Sequence, residues 1–514
     1  MNPINKKTLS KNVIFNFTGQ IIPIIAMIFT MPFIIKGLGT ARFGFLSILW
    51  VIIGNFAVFD LGLGRAVNKF VAESIGSGGD DKREIPQIIW SALTVQIIFG
   101  IVGGIVFVLI TPFLATHFLR IPHSLINEAK ISLYLLAPSI PILLITASLS
   151  GVLSAYQRFD LINYVKIPIG SLTYIILLIC VFMKFNLPDI VIVILFIRFI
   201  NLIIFAIFSI KLIPALKKYS IVSSLIPRLF SFGGWIMVSN VVSPILVYLN
   251  TLLIGSMLSM SSVAFYSIPY ESVTRLWIIS SSLTMVLFPA FSTLNGSGDK
   301  KKLGELFMRS IKYILLISGI ISLIVILFAK NILLLWLGNS FAEHSVLVLQ
   351  ILSAGVLINS IAHVPYNLIQ GIGRPDLTAK FHLIELPFYI FIAWFLILKW
   401  GIVGAAEAWT IRVSIDAVLL FFAVFKVYKL DVKFIKIKNV IGFIISFAVL
   451  SIIVLIGKLL LTNVSILLQV ITFIFLFCMF ILFCWKYFFD SSEHEMFSKI
   501  LNYIIDLYNR YNNL

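Results

Sequence analysis

The chain of 514 residues has 39 lysine and arginine residues against 21 aspartate and glutamate residues, which gives a formal net charge of +18. Hydrophobic residues make up 60% of the chain, charged residues only 12%, and the mean hydropathy is +1.08. These values exclude an ordinary soluble protein with one core per domain. They predict an all-α polytopic membrane protein.

The basic residues do not form one nucleic-acid-binding patch, because they concentrate in alternate loops and at the termini. This is the positive-inside pattern, and it predicts that both termini lie in the cytoplasm. Basic segments such as 2–11 and 426–438 are expected to face anionic lipid headgroups. The three cysteines lack the spacing of metal or redox motifs, so neither a metal nor a cofactor is predicted.

Six spans are predicted in the first part of the chain, at about 13–35, 45–66, 88–113, 131–155, 167–184 and 190–212. Pro138 and Pro141 should kink the fourth span. Asp60, near the end of the second span, is interpreted as forming a helix-end ion pair with Arg65. Arg198, in the sixth span, has no acidic residue within four positions. Three roles are open for Arg198: its guanidinium extends toward the membrane surface, pairs with a group on another helix, or binds a charged substrate.

The stretch 232–291 is predicted to form two spans joined by a short apolar turn. Its second helix contains Glu271 and Arg275, which are four residues apart and therefore lie on one helical face. A charged side chain at the centre of a bilayer costs about 3 kcal/mol on insertion scales. We therefore expect this face to line a wet or protein-lined interior.

The remaining spans are predicted at about 313–328, 346–370, 381–398, 405–425, 441–461 and 464–487, and an interfacial amphipathic helix at 496–505. Asn359, His363, Asn367 and Gln370 form a polar stripe at helical spacing, and His382 and Glu385 share the next span. The following span carries Glu407, Arg412 and Asp416. Arg412 and Asp416 are four residues apart, so mutual neutralisation is expected. Glu407 lacks such a partner and is the better candidate for proton coupling.

Two sequence similarities indicate a duplicated half. The turn at 38–48 resembles that at 258–268, and Arg158-Phe-Asp160-Leu resembles Arg374-Pro-Asp376-Leu at nearly the same separation. The predicted fold is about fourteen transmembrane helices in two six-helix lobes related by pseudo-two-fold symmetry, plus two C-terminal helices. The predicted divisions are an N-terminal lobe 1–212, a cytoplasmic linker 213–230, a C-terminal lobe 231–426, peripheral spans 427–487 and a cytoplasmic tail 488–514.

The sequence contains no phosphate-binding loop, no H-E-x-x-H and no G-x-S-x-G motif. The loops predicted outside the membrane are short, which disfavours an envelope polymerase or transferase. A transporter that is not an enzyme is therefore the main prediction.

The sequence resembles Wzx-type flippases of O-antigen and capsule repeat units, in the multidrug/oligosaccharidyl-lipid/polysaccharide (MOP) exporter superfamily. The resemblance rests on the opening helix 12–19, Leu38-Gly39 before Phe43-Gly44, the stretch 60–63, and the two turns 157–160 and 373–376. It is diffuse but runs the length of the chain.

The resemblance implies a central cavity that opens alternately to each side of a bacterial cytoplasmic membrane. The implied substrate is an undecaprenyl-diphosphate-linked oligosaccharide, moved to the outer leaflet with H+ or Na+ as coupling ion and other polysaccharide assembly proteins as partners. The predicted substrate-binding residues are Arg275, Arg198, Arg65, Arg412, Asn240, His363 and Asn367. The predicted ion-coupling residues are Glu271, Glu407, Asp416 and Glu385.

Other functions remain open at this point. A multidrug or cation exporter of the same superfamily would expose an acidic and aromatic cavity to its cationic substrates. A flippase for a peptidoglycan precursor would share the chemistry with another cargo. A membrane glycosyltransferase or polymerase belongs to a different class and would turn over sugars in purified form, and a scaffold that transports nothing is the last alternative.

Overall fold

A computed structural model describes residues 6–60, 62–77, 84–231, 234–428, 437–460, 465–489 and 494–495. All regular structure in these ranges is helical, and the predicted helix at 496–505 lies outside them. The helices are α1 (Lys6–Asn55), α2 (Leu63–Ser77), α3 (Ile85–Phe113), α4 (Ile126–Leu136), α5 (Ser139–Ala155), α6 (Phe159–Phe182), α7 (Leu187–Leu212), α8 (Leu225–Ser231), α9 (Gly234–Met257), α10 (Met260–Thr274), α11 (Trp277–Gly296), α12 (Lys300–Leu337), α13 (Asn339–Gly371), α14 (Pro375–Phe422), α15 (Ile437–Leu460) and α16 (Ile466–Phe488).

Ten helical stretches of the described chain are long and apolar enough to cross a membrane. Two of them are composite, because α1 and α14 each contain two helices that meet at a glycine, Gly39 with φ 76° and Gly401 with φ 57°. A left-handed backbone at these turns suits glycine because it has no Cβ. The chain is thus a multi-pass membrane protein.

Successive spans place their turns at two ends of the bundle. We name one end the Gly39 end: it holds the turn at Gly39 and the turns after α9, α12 and the first part of α14. We name the other the Arg158 end: it holds the turns after α5, α7, α11 and α13.

The predicted second span is discontinuous. α1 ends at Asn55, a 3-10 turn follows at Phe56–Asp60, and α2 then begins at Leu63. The Asp60 carboxylate accepts hydrogen bonds from the Gly64 N–H at 3.2 Å and from Gln96 Nε2 at 2.6 Å. The predicted ion pair of Asp60 with Arg65 is wrong. The Asp60 carboxylate instead accepts from the start of α2, because a helix that starts inside the bundle needs an acceptor for its first N–H groups.

The kink predicted in the fourth span is confirmed. α4 ends at Leu136 and α5 begins at Ser139, with Pro138 at the junction. Proline cannot donate a backbone hydrogen bond, so the helix is interrupted at this point.

The two Arg-x-Asp turns have the same conformation. Arg158 Nε donates to Asp160 Oδ1 at 2.9 Å, and Arg374 Nε donates to Asp376 Oδ1 at 2.9 Å. The residue before each arginine has a positive φ, 57° in the first turn and 80° in the second. The sequence similarity between these segments therefore corresponds to a repeated local structure.

The apolar cores show how the first half of the chain, residues 6–231, meets the second half, residues 234–428. The largest core contains buried residues from both halves, among them Phe45, Leu133, Tyr266 and Trp409, all toward the Gly39 end. Toward the Arg158 end, one core lies within residues 63–229 and another within 287–424. The halves therefore share one core at the Gly39 end and have separate cores at the other end.

Hydrogen bonds reinforce this junction at the Gly39 end. Thr40 Oγ1 lies 3.0 Å from Ser261 Oγ, and the Arg120 N–H donates to the Gly255 carbonyl at 2.8 Å. The last two helices, α15 and α16, pack on α12 through a separate apolar core.

A substitution at Gly44 tests the close approach of the two halves, because a Cβ at this position would overlap the Met260 carbonyl of the opposite half. Replacement by alanine, Gly44→Ala, should destabilise the protein by about 1–3 kcal/mol through overpacking. Thermal unfolding in detergent would measure this as a lower midpoint. Gly296→Ala is the matched control, because open space surrounds its Cβ position. Equal midpoints for the two variants would contradict the close approach of the halves.

Candidate functional site

A cavity of about 370 Å³ lies between the two halves, beside the shared core. Among the described residues, it is lined by side chains of α1, α6, α7, α9 and α10, and by Trp336 of α12. The first half and the second half thus both contribute to one central cavity.

Among the described residues, three charged side chains line the central cavity: Arg198, Glu271 and Arg275. Arg275 Nη2 donates to Glu271 Oε2 at 3.1 Å and to the Tyr174 hydroxyl at 3.4 Å. The predicted common face of Glu271 and Arg275 is confirmed. Arg198 has no ion pair in the described part of the chain, and its buried Nε has no hydrogen-bond partner. The described lining of the cavity therefore carries two cations against one anion.

A helix break positions Arg275. α10 ends at Thr274, Arg275 is its C-cap residue, and α11 begins at Trp277. The carbonyl end of a helix carries partial negative charge and favours a nearby cation. The break thus holds a guanidinium at the middle of a membrane-spanning segment, where unwound backbone is tolerated only next to a cavity or other protein.

Aromatic residues complete the central cavity, and sequence reasoning missed them. Trp50, Tyr174 and Tyr248 line it, with the rings of Trp50 and Tyr174 6.5 Å apart in an edge-to-face arrangement. Aromatic residues are common in any membrane helix, so only their place in the wall of the cavity distinguishes them. They offer surfaces on which sugar rings or other apolar faces can pack.

A second cavity of about 210 Å³ lies within the second half of the chain. Five polar residues of α13 and α14 that the sequence singles out line it: Asn359, His363, His382, Arg412 and Asp416. Trp277 also lines it, with its ring centroid 6.2 Å from that of His363.

A pair of carboxyl groups adjoins the second cavity. Glu385 is 4% exposed and Asp416 7% exposed, and the two carboxyl groups are neighbours that interact electrostatically. Neither oxygen of Glu385 meets an N–H or O–H donor among the described residues. Two neighbouring carboxylates without a donor repel each other when both are ionised, and we predict that they share one proton.

Arg412 does not pair with Asp416, contrary to the expected neutralisation. Its guanidinium lies over the Tyr389 ring, 5.8 Å from the centroid, and its Nε is buried without a hydrogen-bond partner. The sequence spacing allows the Arg412–Asp416 contact, but Asp416 contacts Glu385 across the helix interface instead.

The other predicted residues lie elsewhere. Arg65 is exposed at the start of α2, and Glu407 is half-buried; neither lines the two cavities. Asn367 is buried and donates to the His363 carbonyl at 2.6 Å, so it supports the helix next to the second cavity. Asn240 lies on α9, and its side chain is outside the described part of the structure.

The helical bundle, with a charged cavity between its two halves, has the fold of solved structures of the MOP superfamily. The lipid II flippase MurJ, in an inward closed conformation, aligns with a TM-score of 0.68 at 15% identity, covering 92% of this chain and 99% of that one. An inward-facing multidrug transporter of the MATE family aligns with a TM-score of 0.67 at 13% identity, covering 82% and 95%.

The family model described as "Polysaccharide biosynthesis protein" matches residues 38–346, more than half of the chain, and the chain belongs to that family. A Shigella flexneri protein named as a candidate O-antigen transporter is 28% identical over 413 residues, covering 80% of this chain and 97% of that protein. The resemblance to Wzx-type flippases seen in the sequence is confirmed.

Substitutions at Glu385 test the shared proton. Glu385→Gln keeps an N–H that can donate to Asp416, so its free energy of unfolding should stay within about 1 kcal/mol of the parent. Glu385→Ala leaves a cavity and an unpaired Asp416, and should lose about 2–4 kcal/mol. Denaturant unfolding of the purified protein would compare the two variants. A glutamine variant as unstable as the alanine variant would contradict the shared proton.

Proposed function

We propose that the protein is a flippase that moves undecaprenyl-diphosphate-linked oligosaccharide repeat units from the cytoplasmic to the outer leaflet of a bacterial cytoplasmic membrane. The translocated repeat units would be used in surface polysaccharide assembly. The family membership and the name of the Shigella relative support the cargo class. The fold, shared with a protein named as a lipid II flippase, supports the transport of a lipid-linked substrate.

The proposed architecture has fourteen spans in two six-helix lobes, 1–212 and 231–426, related by pseudo-two-fold symmetry. Residues 213–230 form the linker, and α15 and α16 are peripheral. The matching turns at Arg158 and Arg374 and the two separate cores toward the Arg158 end support this division. Both termini and the Arg158 end face the cytoplasm in this proposal, in agreement with the positive-inside pattern.

The observation that carries the proposed substrate is the charge of the central cavity. Arg198 and Arg275 line it together, and only Arg275 has an acidic partner among the described residues. A guanidinium pairs bidentately with phosphate oxygens, so a diphosphate can bind both arginines. Glu271 holds Arg275 in place when the cavity is empty. Arg412 and His363, in the second cavity, are proposed to meet the more distant sugars.

The transport cycle follows from the two ends of the bundle. The halves share a core and hydrogen bonds at the Gly39 end. With that end facing outward, as proposed, this conformation is closed toward the outside and admits substrate from the cytoplasm. Separation of the halves at the Gly39 end, with closure at the Arg158 end, would release substrate outward. This is the alternating access expected of transporters built from internal repeats.

Glu385 and Asp416 are the proposed proton-coupling pair. They are buried within one lobe, apart from Arg198 and Arg275 in the central cavity, and two facing carboxyl groups can take up or release a single proton between them. One charge that crosses 100 mV supplies about 2.3 kcal/mol, which can drive the return of the empty transporter. Glu407, which lines neither cavity, is the second candidate for this role, and Na+ is the alternative ion.

A multidrug exporter is the second candidate function. The acid Glu271 and the aromatic residues Trp50, Tyr174 and Tyr248 favour it, because together they can bind an apolar cation. The two arginines of the same cavity oppose it, because they repel a cationic substrate.

Transport in proteoliposomes tests the proposed substrate. An undecaprenyl-diphosphate oligosaccharide in the inner leaflet should become accessible to an external glycan-modifying reagent in a protein-dependent way. Arg275→Ala and Arg198→Ala should each lower the rate about 10- to 100-fold, since each removes a charge-assisted contact of about 1.5–3 kcal/mol. Lys217→Ala, in the exposed linker, is the control and should transport normally.

Two results would contradict the proposed substrate or its binding site. If the lipid does not move while a cationic dye does, the drug-exporter function replaces the flippase. If the lipid moves at the parent rate in both arginine variants, the cationic path is wrong.

An imposed proton gradient tests the coupling pair. The parent should transport faster with the outside acidic, and Asp416→Asn should remove this acceleration, because asparagine cannot exchange a proton. Rates with and without the gradient would be compared at equal protein amounts. Full retention of the acceleration in Asp416→Asn would place coupling elsewhere, and acceleration of the parent by a sodium gradient alone would make Na+ the ion.

A further inference from the structure

A hydrogen bond crosses between the two halves inside the bundle. Pro32 lies within α1 and has no N–H, so the carbonyl of Ile28, four residues earlier, lacks its normal helical donor. Trp336 Nε1, near the end of α12, donates to this carbonyl at 2.7 Å. A proline in the first half thus creates the acceptor, and an indole in the second half satisfies it.

Trp336 also lies at a wall of the central cavity. It is the α12 residue that lines the cavity among the described residues, and it meets α1 beside Met27 and Met31. Its neighbour Leu335 is 85% exposed, and Phe29 on α1 is 70% exposed. Large apolar side chains with this exposure face lipid in a membrane protein, so the indole stands between the cavity and the bilayer.

We propose that Trp336 is a latch that closes a lateral opening between α1 and α12. The proposal rests on the proposed function, because a polyprenyl diphosphate can keep its long apolar chain in lipid only if the cavity opens sideways. In the closed state the indole fills the opening and its N–H holds the Ile28 carbonyl. In the open state the indole withdraws, and hydroxyl groups of a passing sugar or water can replace it as donors.

The Ile28 carbonyl gives the latch two stable states, because it needs a hydrogen-bond donor in each. A carbonyl without a donor inside the membrane is costly, so the opening is stable either with the indole bound or with a hydrated headgroup in the passage. Any residue other than proline at position 32 would supply its own N–H to Ile28 and compete with Trp336. The latch therefore needs both Pro32 and Trp336, although they belong to different halves.

Access of a lipid-soluble reagent to the cavity tests the latch directly. The reporter is Ser47→Cys, which lines the central cavity, in a chain whose three native cysteines are replaced by alanine. Proteoliposomes would be treated with pyrene maleimide, which partitions into the bilayer. A membrane-impermeant maleimide, added separately, measures access from water.

Opening of the latch should raise the pyrene maleimide labelling rate. Trp336→Phe and Pro32→Ala should each raise it about 3- to 10-fold, the factor that matches the loss of one neutral hydrogen bond. Trp336→Ala, which also removes the bulk of the side chain, should raise it further. Labelling by the impermeant maleimide should stay the same in all variants.

Trp400→Phe is the control, because Trp400 is another tryptophan of the second half but is exposed and lines neither cavity. Parent-level labelling in Trp336→Phe and Pro32→Ala, with both proteins monodisperse, would overturn the latch. An equal increase in Trp400→Phe would also overturn it, since the effect would then be general loosening.

The outcomes separate the latch from the proposed function. If the parent flips the lipid-linked oligosaccharide and labelling does not respond to Trp336, the latch is wrong and the flippase stands. If labelling responds and the parent moves no lipid, the flippase is wrong and Trp336 still closes a lateral opening to the membrane.

Discussion

The cost of placing charged groups in a membrane governs the rest of this structure. Each charge at the centre of a bilayer costs about 3 kcal/mol unless it meets water or a partner. Arg198, Glu271 and Arg275 meet this condition because the two halves share a core at one end only. The central cavity beside the shared core is polar enough for the charges, and the excess of cations among its described lining residues favours an anionic substrate.

Interrupted helices follow from the same constraint. The helical spans break at Asp60, at Pro138 and at Arg275, and α1 loses a hydrogen bond at Pro32. Each break frees backbone groups that need partners inside the membrane. Side chains supply several of these partners: a carboxylate caps α2, and an indole holds the carbonyl of Ile28. The breaks thus give the bundle places where polar groups and motion are possible without exposure to lipid.

Sequence reasoning predicted features that depend on neighbours along one helix or on local turn chemistry. The pairing of Glu271 with Arg275 follows from a spacing of four residues, and the kink at Pro138 follows from the missing N–H. The two Arg-x-Asp turns were recognisable because the same short motif recurs.

Contacts between helices were not predictable from a single sequence. Asp60 binds Gln96, which is 36 residues away, and the indole of Trp336 reaches across 308 residues to Ile28. Asp416 contacts Glu385 rather than Arg412, although Arg412 is four residues away on its own helix. Helical periodicity defines the face of a helix but not how that face is rotated against its neighbours.

The most direct test of the central claim is a binding competition in native mass spectrometry. The purified protein would be mixed with an undecaprenyl-diphosphate oligosaccharide and an equal concentration of a cationic dye. The cationic cavity predicts that the diphosphate lipid is retained by the parent protein and lost from a variant that combines Arg198→Ala with Arg275→Ala. Retention of the dye instead of the lipid, or equal lipid binding by the double variant, would contradict it.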